Sequence, residues 1–232
     1  MGAAGTRPNE LSSNPAANRK VPEVLVLGLG NTRLSDDGIG VLVVRHLARD
    51  PETPPGLRAV DAGAFGFRFT SKLRRSQAIL IVNVAEIGAP AGTTRLLGRE
   101  ELDEDIESGG RIVARDSGLK ELLVLARRQG YQPKRLALLA VQPESLDWGE
   151  ELSPPVYKSL PMVCEQVVET VLAWQHGAEP ISNFKSLKGF SRNTDAWDSG
   201  AGYFRDLDAD REFPDRPAAQ EVQAGAGMIE ST

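Results

Sequence analysis

The sequence predicts an α/β fold, a three-layer sandwich in which a five-stranded, mostly parallel sheet carries helices on both faces and one antiparallel strand lies at an edge. Three observations predict it. Near-continuous apolar runs at residues 25–29, 78–84 and 135–141 have the composition of strands covered on both faces. Between them apolar residues recur at helical spacing, and strands that alternate with helices run parallel with crossover connections. The short run 93–97 follows the third strand after only the turn Ala89-Pro90-Ala91-Gly92, which suits an antiparallel edge.

Each element has its own signal. After the first strand, Gly28, Gly30 and Asn31 allow a tight exit, and from Ser35 onward Ile39, Leu42, Val43 and Leu47 recur as one face of a helix. Residues 57–60 form a short second strand ending at Asp61-Ala62-Gly63, and 65–73 read as a helix. Strand 78–84 carries a polar residue, Asn83, at its carboxyl end. The stretch 99–110, dominated by Glu, Asp and Gly, is expected to be an acidic loop or frayed helix before Ile112-Val113-Ala114. Ser117 opens a helix on which Leu119, Leu122, Leu123 and Ala126 share a face. After strand 135–141 and the segment Gln142-Pro143-Glu144-Ser145, Ser153 as N-cap and Pro154 at the first helical position start a closing helix. Val156, Leu160, Val163, Val167, Val168 and Leu172 line its core face, with Pro161 a candidate kink.

Composition limits the partners. The chain has 232 residues and a formal charge of −5, with no long Lys/Arg run, which argues against nucleic acid or an anionic membrane surface. Lys72, Arg74 and Arg75 make only a short basic spot. No segment reads as a signal peptide or membrane span. The single cysteine, Cys164, excludes an internal disulfide and lies on an apolar helical stretch, as expected of a cytoplasmic protein. Residues 1–21 read as a flexible leader, 22–177 as the α/β domain, and 178–232 as an acidic tail, disordered or ordered by a partner. Phe184, Phe190, Trp197, Tyr203, Phe204 and Phe213 punctuate that tail.

The chemistry is expected where the first strand gives way to its helix. Asp36 and Asp37 stand at the carboxyl end of that strand and beside a helix N-terminus, where open α/β sheets place ligands. Ser35 or Asp36 is a natural N-cap. One cap needs one carboxylate, so Asp36 is assigned to it, and a spare carboxylate at Asp37 invites a cation. Phosphate motifs fail here: a dinucleotide fingerprint needs glycine where Arg33 stands, and a P-loop needs G-K-[ST] where the chain has Asp37, Gly38 and Ile39. Ser35, Ser117 and Ser145 lack a histidine pattern, and no H-E-x-x-H is present. A paired-carboxylate mechanism using Asp37 and Asp61 stays open, as do oxygen donors at Glu86 and Asp116. His46 inside the first helix and His176 at the end of the last suit solvent-facing or helix-dipole roles.

With Gly28-Leu29-Gly30-Asn31, Asp36-Asp37-Gly38-Ile39-Gly40, Asp61-Ala62-Gly63, the turn from Gly88 to Thr93 and Gln142-Pro143-Glu144-Ser145 in this order, the chain resembles the hydrogenase maturation endopeptidases. The resemblance spans nearly the whole of 22–177. It implies an α/β sandwich around a five-stranded sheet, and a hydrolase that clips a C-terminal extension from the large subunit of a nickel–iron hydrogenase after nickel insertion. Nickel is then recognised on the substrate, with no tightly bound cofactor. The resemblance also implies three metal-recognising positions, which fall on Asp37, Asn83 and Arg115. Asn83 keeps an oxygen donor without its charge, and a protonated guanidinium is no ordinary metal ligand.

Two readings follow. One is an endopeptidase, with Gly30, Asn31, Asp36, Gly38 and Asp61 shaping the loop. The other is a non-cleaving assembly factor, in which Arg115 stands where the family holds a divalent cation and pairs with Asp37 while Asn83 accepts a further hydrogen bond. A different class also remains: a small-molecule or nucleotide-binding α/β module, prompted by Gly28-Leu29-Gly30-Asn31 and by Asp61, where a ribose-binding acid would sit. The missing third glycine and the paired aspartates weigh against it.

Overall fold

The computed structural model describes residues 21–64, 76–109 and 117–180. Residues 1–20, the helix expected at 65–73 with its basic spot, Ile112-Val113-Ala114, Arg115, Asp116 and the aromatic-punctuated stretch beyond 180 lie outside the described residues. In chain order the elements are β1 (Val24–Leu29), a 3-10 turn (Ser35–Gly38), α1 (Ile39–Arg49), β2 (Leu57–Gly63), β3 (Ala78–Val84), β4 (Thr94–Gly98), α2 (Arg99–Ser108), α3 (Ser117–Arg128), β5 (Arg135–Val141) and α4 (Pro154–Gln175).

The sheet has five strands in the order β2-β1-β3-β5-β4. β1 pairs in parallel with β2 and β3, and β3 with β5, whereas β4 runs antiparallel to β5 at one edge. β1, β3 and most of β5 are buried throughout, as their unbroken apolar composition requires. Side chains of alternate parity serve two helical layers. Leu25, Leu27, Ile79, Ile81 and Leu138 join Leu102 of α2 and Leu119, Leu122 and Ala126 of α3 in one cluster. On the other face α1 and α4 pack against each other and against β1 and β3. Each large aliphatic side chain fully buried there contributes about 1.5–3 kcal/mol.

One expected element is more regular than its composition suggests. Residues 99–108 form a complete helix rather than a loop. The Glu101 carboxylate accepts the Gly98 N–H at 3.0 Å, Leu102 is buried in the core, and Gly109 ends the helix in the left-handed region at φ 69°. Two ends and one anchor suffice for a helix of three turns. α4 continues through Pro161, with Val156, Leu160, Val163, Val167 and Val168 buried and Cys164 a buried thiol outside any disulfide. Among the described residues no helix is long and apolar enough to cross a membrane.

Glycines let the first helix lie directly on the sheet backbone. A Cβ on Gly40 would stand 2.2 Å from the Val82 carbonyl oxygen and 2.4 Å from that of Leu29. A Cβ on Gly28 would meet the Gly40 carbonyl oxygen at 2.1 Å. These obstacles are backbone atoms, which cannot rotate aside. The start of α1 is thereby fixed over the ends of β1 and β3. Gly40→Ala should cost about 3 kcal/mol or more, read as a lowered urea midpoint, because the helix must lift off the sheet.

The opposite end of the sheet holds Tyr131, whose hydroxyl donates to the Ser76 carbonyl oxygen and ties the approach to β3 to the turn before β5. Burial pushes its phenol above the ordinary value, and the Arg99 guanidinium only partly opposes this. The folded chain keeps this proton at a pH where the unfolded chain has released it. The associated stability is complete below the unfolded value of about 10 and is lost as pH rises through the folded one. Tyr131→Phe should lack that share of the alkaline decline in stability, measured by urea unfolding between pH 9 and 11 (about one unit either side of the phenol value).

Candidate functional site

In a sheet of this order, β1 connects through α1 to β2 on one side, while β3 lies on the other. The carboxyl ends of β1 and β3 are therefore the topological switch point, where open α/β sheets leave a crevice. The chain leaves β1 through Gly30, at φ 126°, where a Cβ would stand 1.7 Å from the Asp37 carbonyl oxygen. Only glycine fits there. Asn31 then begins a turn, with the Leu34 N–H donating to its carbonyl at 3.0 Å and the Arg33 N–H to its side-chain Oδ1 at 3.1 Å. The turn closes on Asp37, whose Oδ2 accepts the Asn31 N–H at 2.7 Å. Gly38 passes close to Thr32, a Cβ there standing 3.0 Å from the Thr32 Cα. The Gly30, Asn31, Asp37 and Gly38 spacing thus describes one compact loop that presents the half-buried Asp37 at the switch point.

Asp36 does something else. The N-cap of α1 is Gly38, without a side-chain cap bond, so the capping role expected of Ser35 or Asp36 is not what the structure contains. The Asp36 carboxylate is fully buried and faces the loop after β5. Its Oδ2 accepts the N–H groups of Glu144 at 2.8 Å and Ser145 at 2.9 Å and the Ser153 hydroxyl at 2.9 Å, while its Oδ1 accepts the Ser153 N–H at 2.7 Å. Four donors converge on one anion. Ser153 does precede α4, with Pro154 at its start, but its hydroxyl serves Asp36 rather than capping the helix. Backbone pairing reinforces the junction, since the Ser35 N–H donates to the Gly149 carbonyl at 2.8 Å and the Gly149 N–H to the Arg33 carbonyl at 3.0 Å.

The remaining motif segments bind each other. Gln142 and Thr93 share a backbone bond of 2.8 Å, and the Gly92 N–H donates to the Gln142 carbonyl at 2.9 Å. The buried Gln142 side chain accepts the Ile87 N–H at 2.9 Å and donates to Glu86 at 2.8 Å. The Pro90-Ala91-Gly92-Thr93 turn and the Gln142-Pro143-Glu144-Ser145 segment are therefore one unit beside the end of β3. Asn83 lies within it, fully buried and paired across the sheet with Ala140. It has the parity of Ile79 and Ile81, so it belongs to the face covered by α2 and α3. The 3-10 turn that carries Asp37 packs against β3, the strand whose carboxyl end holds Asn83. Arg115 lies outside the described residues.

Other candidate ligands are engaged elsewhere. Asp61 takes the Arg45 guanidinium at 2.8 and 2.9 Å and the Gly63 N–H at 2.9 Å, which makes it a brace between α1 and β2. His46 is buried in the last turn of α1 rather than facing solvent, and the His176 Nδ1 lies 2.7 Å from the Leu172 carbonyl oxygen at the end of α4. Among the described residues no group of three or more His, Cys, Asp or Glu side chains is placed to hold a metal ion. One residue escaped notice in the sequence: Trp148, in the loop held by Asp36, is 82% exposed. A lone aromatic inside an acidic loop has no periodicity to reveal it.

A family model described as hydrogenase maturation protease matches residues 41–170, more than half of the chain. The chain belongs to this family. It is 32% identical over 160 residues to the hydrogenase 2 maturation protease of Escherichia coli, covering 68% of this chain and 94% of that protein. It is 30% identical over 152 residues to the hydrogenase expression/formation protein HupD of Thiocapsa roseopersicina, covering 65% of this chain and 68% of that one. The solved structure of the hydrogenase maturating endopeptidase HybD from E. coli superposes with a TM-score of 0.58 at 29% identity, over 68% of this chain and 95% of that one. The α/β fold read from the sequence is the fold of this family.

Asp36→Ala should release the segment 144–153, since three amides and a hydroxyl lose their shared acceptor. The expected cost is about 3–5 kcal/mol in urea unfolding. Hydrogen exchange at the Glu144, Ser145 and Ser153 amides should accelerate more than exchange in β3.

Proposed function

We propose that this protein matures the large subunit of a nickel–iron hydrogenase, receiving the subunit's metal-bearing C-terminal region at the switch point between β1 and β3. The observation that carries this is the packing of the Asp37 turn against β3, the strand whose carboxyl end holds Asn83, in a chain that belongs to the hydrogenase maturation protease family. Asp37 offers a charged, hard oxygen donor and Asn83 a neutral one. Nickel enters as part of the substrate. The Asp61–Arg45 pair speaks against a ribose-binding role for Asp61, because that carboxylate already has its donors.

The endopeptidase reading rests on family and loop geometry. A non-cleaving assembly factor on the same fold is favoured by one specific observation, the uncharged amide of Asn83 where the family's ligand set implies an acid. Arg115 extends that reading: a permanent guanidinium before α3 would pair with Asp37 in place of a divalent cation.

The intact mass of the large subunit, matured with nickel in the presence and absence of this protein, decides between them. Loss of a C-terminal peptide only when the protein is present establishes the endopeptidase. An unchanged mass with stable association establishes the assembly factor. Neither cleavage nor association ends the proposal. In either active case Asp37→Asn, whose amide oxygen can still accept the Asn31 N–H, should weaken processing or association by about 10–100-fold, while the melting temperature stays near that of the parent.

A further inference from the structure

Trp148 is the most conspicuous apolar group left in water among the described residues, at 82% exposure. Its surroundings do not allow it to be a chance feature of a slack loop. The preceding residue is held by a local ring, in which the Ser145 hydroxyl donates to the Asp147 carboxylate and accepts the Asp147 N–H, both at 3.1 Å. The following residue, Gly149, pairs with the backbone of residues 33 and 35 on the other side. Ser145 and Ser153, which bracket the tryptophan, both donate to the buried Asp36. An indole is thus displayed on a fixed support, and that support is bonded to the same loop that presents Asp37.

Its neighbours state what it would meet. Glu144, Asp147, Glu150 and Glu151 are all exposed, and residues 141–157 contain no lysine or arginine. Against these four carboxylates Arg33, on the facing turn, sets a single positive charge. An exposed indole in such a loop attracts a guanidinium or ammonium group, through the ring quadrupole and through the loop's net charge together. Phosphate-bearing partners are repelled by the same charge. A second copy is disfavoured too, since a two-fold interface would set one acidic loop against another.

We propose that Trp148, with Glu144, Asp147, Glu150 and Glu151, is the docking surface for a basic segment of the hydrogenase large subunit, an arginine or lysine side chain of the partner lying across the indole. This rests on the maturation function proposed above and adds the place where the subunit is gripped. Rigid aromatic anchors lose little conformational freedom on binding, and truncating them commonly weakens an interface by tenfold or more. The acidic rim contributes mainly to the association rate and its salt dependence.

The test is a titration of the full chain with purified nickel-loaded large-subunit precursor, at low and physiological salt. Trp148→Ala should weaken binding by about tenfold or more, with an unchanged melting temperature because the indole is exposed. Trp148→Phe should fall between, since the smaller ring is the poorer cation acceptor. The double variant Glu150→Gln and Glu151→Gln should flatten the salt dependence. Parent and Trp148→Ala proteins that bind with equal affinity overturn the docking surface and leave the maturation function standing. A parent that does not bind the precursor at all removes both. A parent dimer that Trp148→Ala dissolves, with precursor affinity unchanged, assigns the tryptophan to self-association and overturns the proposal.

Discussion

A single buried carboxylate holds the working end of this protein together. Asp36 has no cation beside it in the described contacts; its charge is met by three backbone amides and one hydroxyl. Hydrogen bonds to a charged acceptor contribute about 1.5–3 kcal/mol each, and their loss leaves the anion or its donors stranded away from water. Both ends of the 144–153 loop are fastened to that one group. The loop's course past Gly149, the exposure of Trp148 and the start of α4 all follow from where Asp36 lies.

Asp36 can occupy that position because the backbones around it approach unusually closely. With Gly28 and Gly40 in contact, the first turn of α1 sits on the strand ends rather than a side-chain layer above them. Gly30 then folds the chain back so that its neighbour Asn31 donates to Asp37. Adjacent carboxylates therefore have opposite tasks: Asp36 is directed inward to hold the framework, and Asp37 is held at the crevice. In this chain the double aspartate is a structural anchor followed by a presented oxygen donor.

Much of this was legible in the residues. β3 and β5 run over the residues predicted for them, because unbroken apolar runs bounded by polar or turn residues have few other uses, and the antiparallel edge followed from the brevity of one connection. Asp36 was misread as a helix cap because the nearby N–H groups are visible in sequence, whereas its true donors lie more than a hundred residues away. The Asp61–Arg45 brace spans only 16 residues, but it joins a helix to a strand and so follows no local spacing. α2 was left between an acidic loop and a frayed helix because its only deeply buried side chain is Leu102, so it has too little apolar period to decide; its ends, not its face, define it. Ser153 was correctly placed before α4, yet its hydroxyl answers a partner that no local pattern reveals.

The distances along the chain that Asp36 spans, 108 residues to Glu144 and 117 to Ser153, have a consequence for how the molecule is made. Contacts between β1, α1 and β2 are comparatively local and can form early, but the Asp36 junction must wait until the sheet has grown through β5 and the chain has turned towards α4. Closing so long a loop costs entropy before any bond rewards it. During synthesis, the crevice would therefore be completed last, after the core that supports it. A chain emerging from the ribosome would possess most of its sheet while still lacking a finished surface with which to engage another protein.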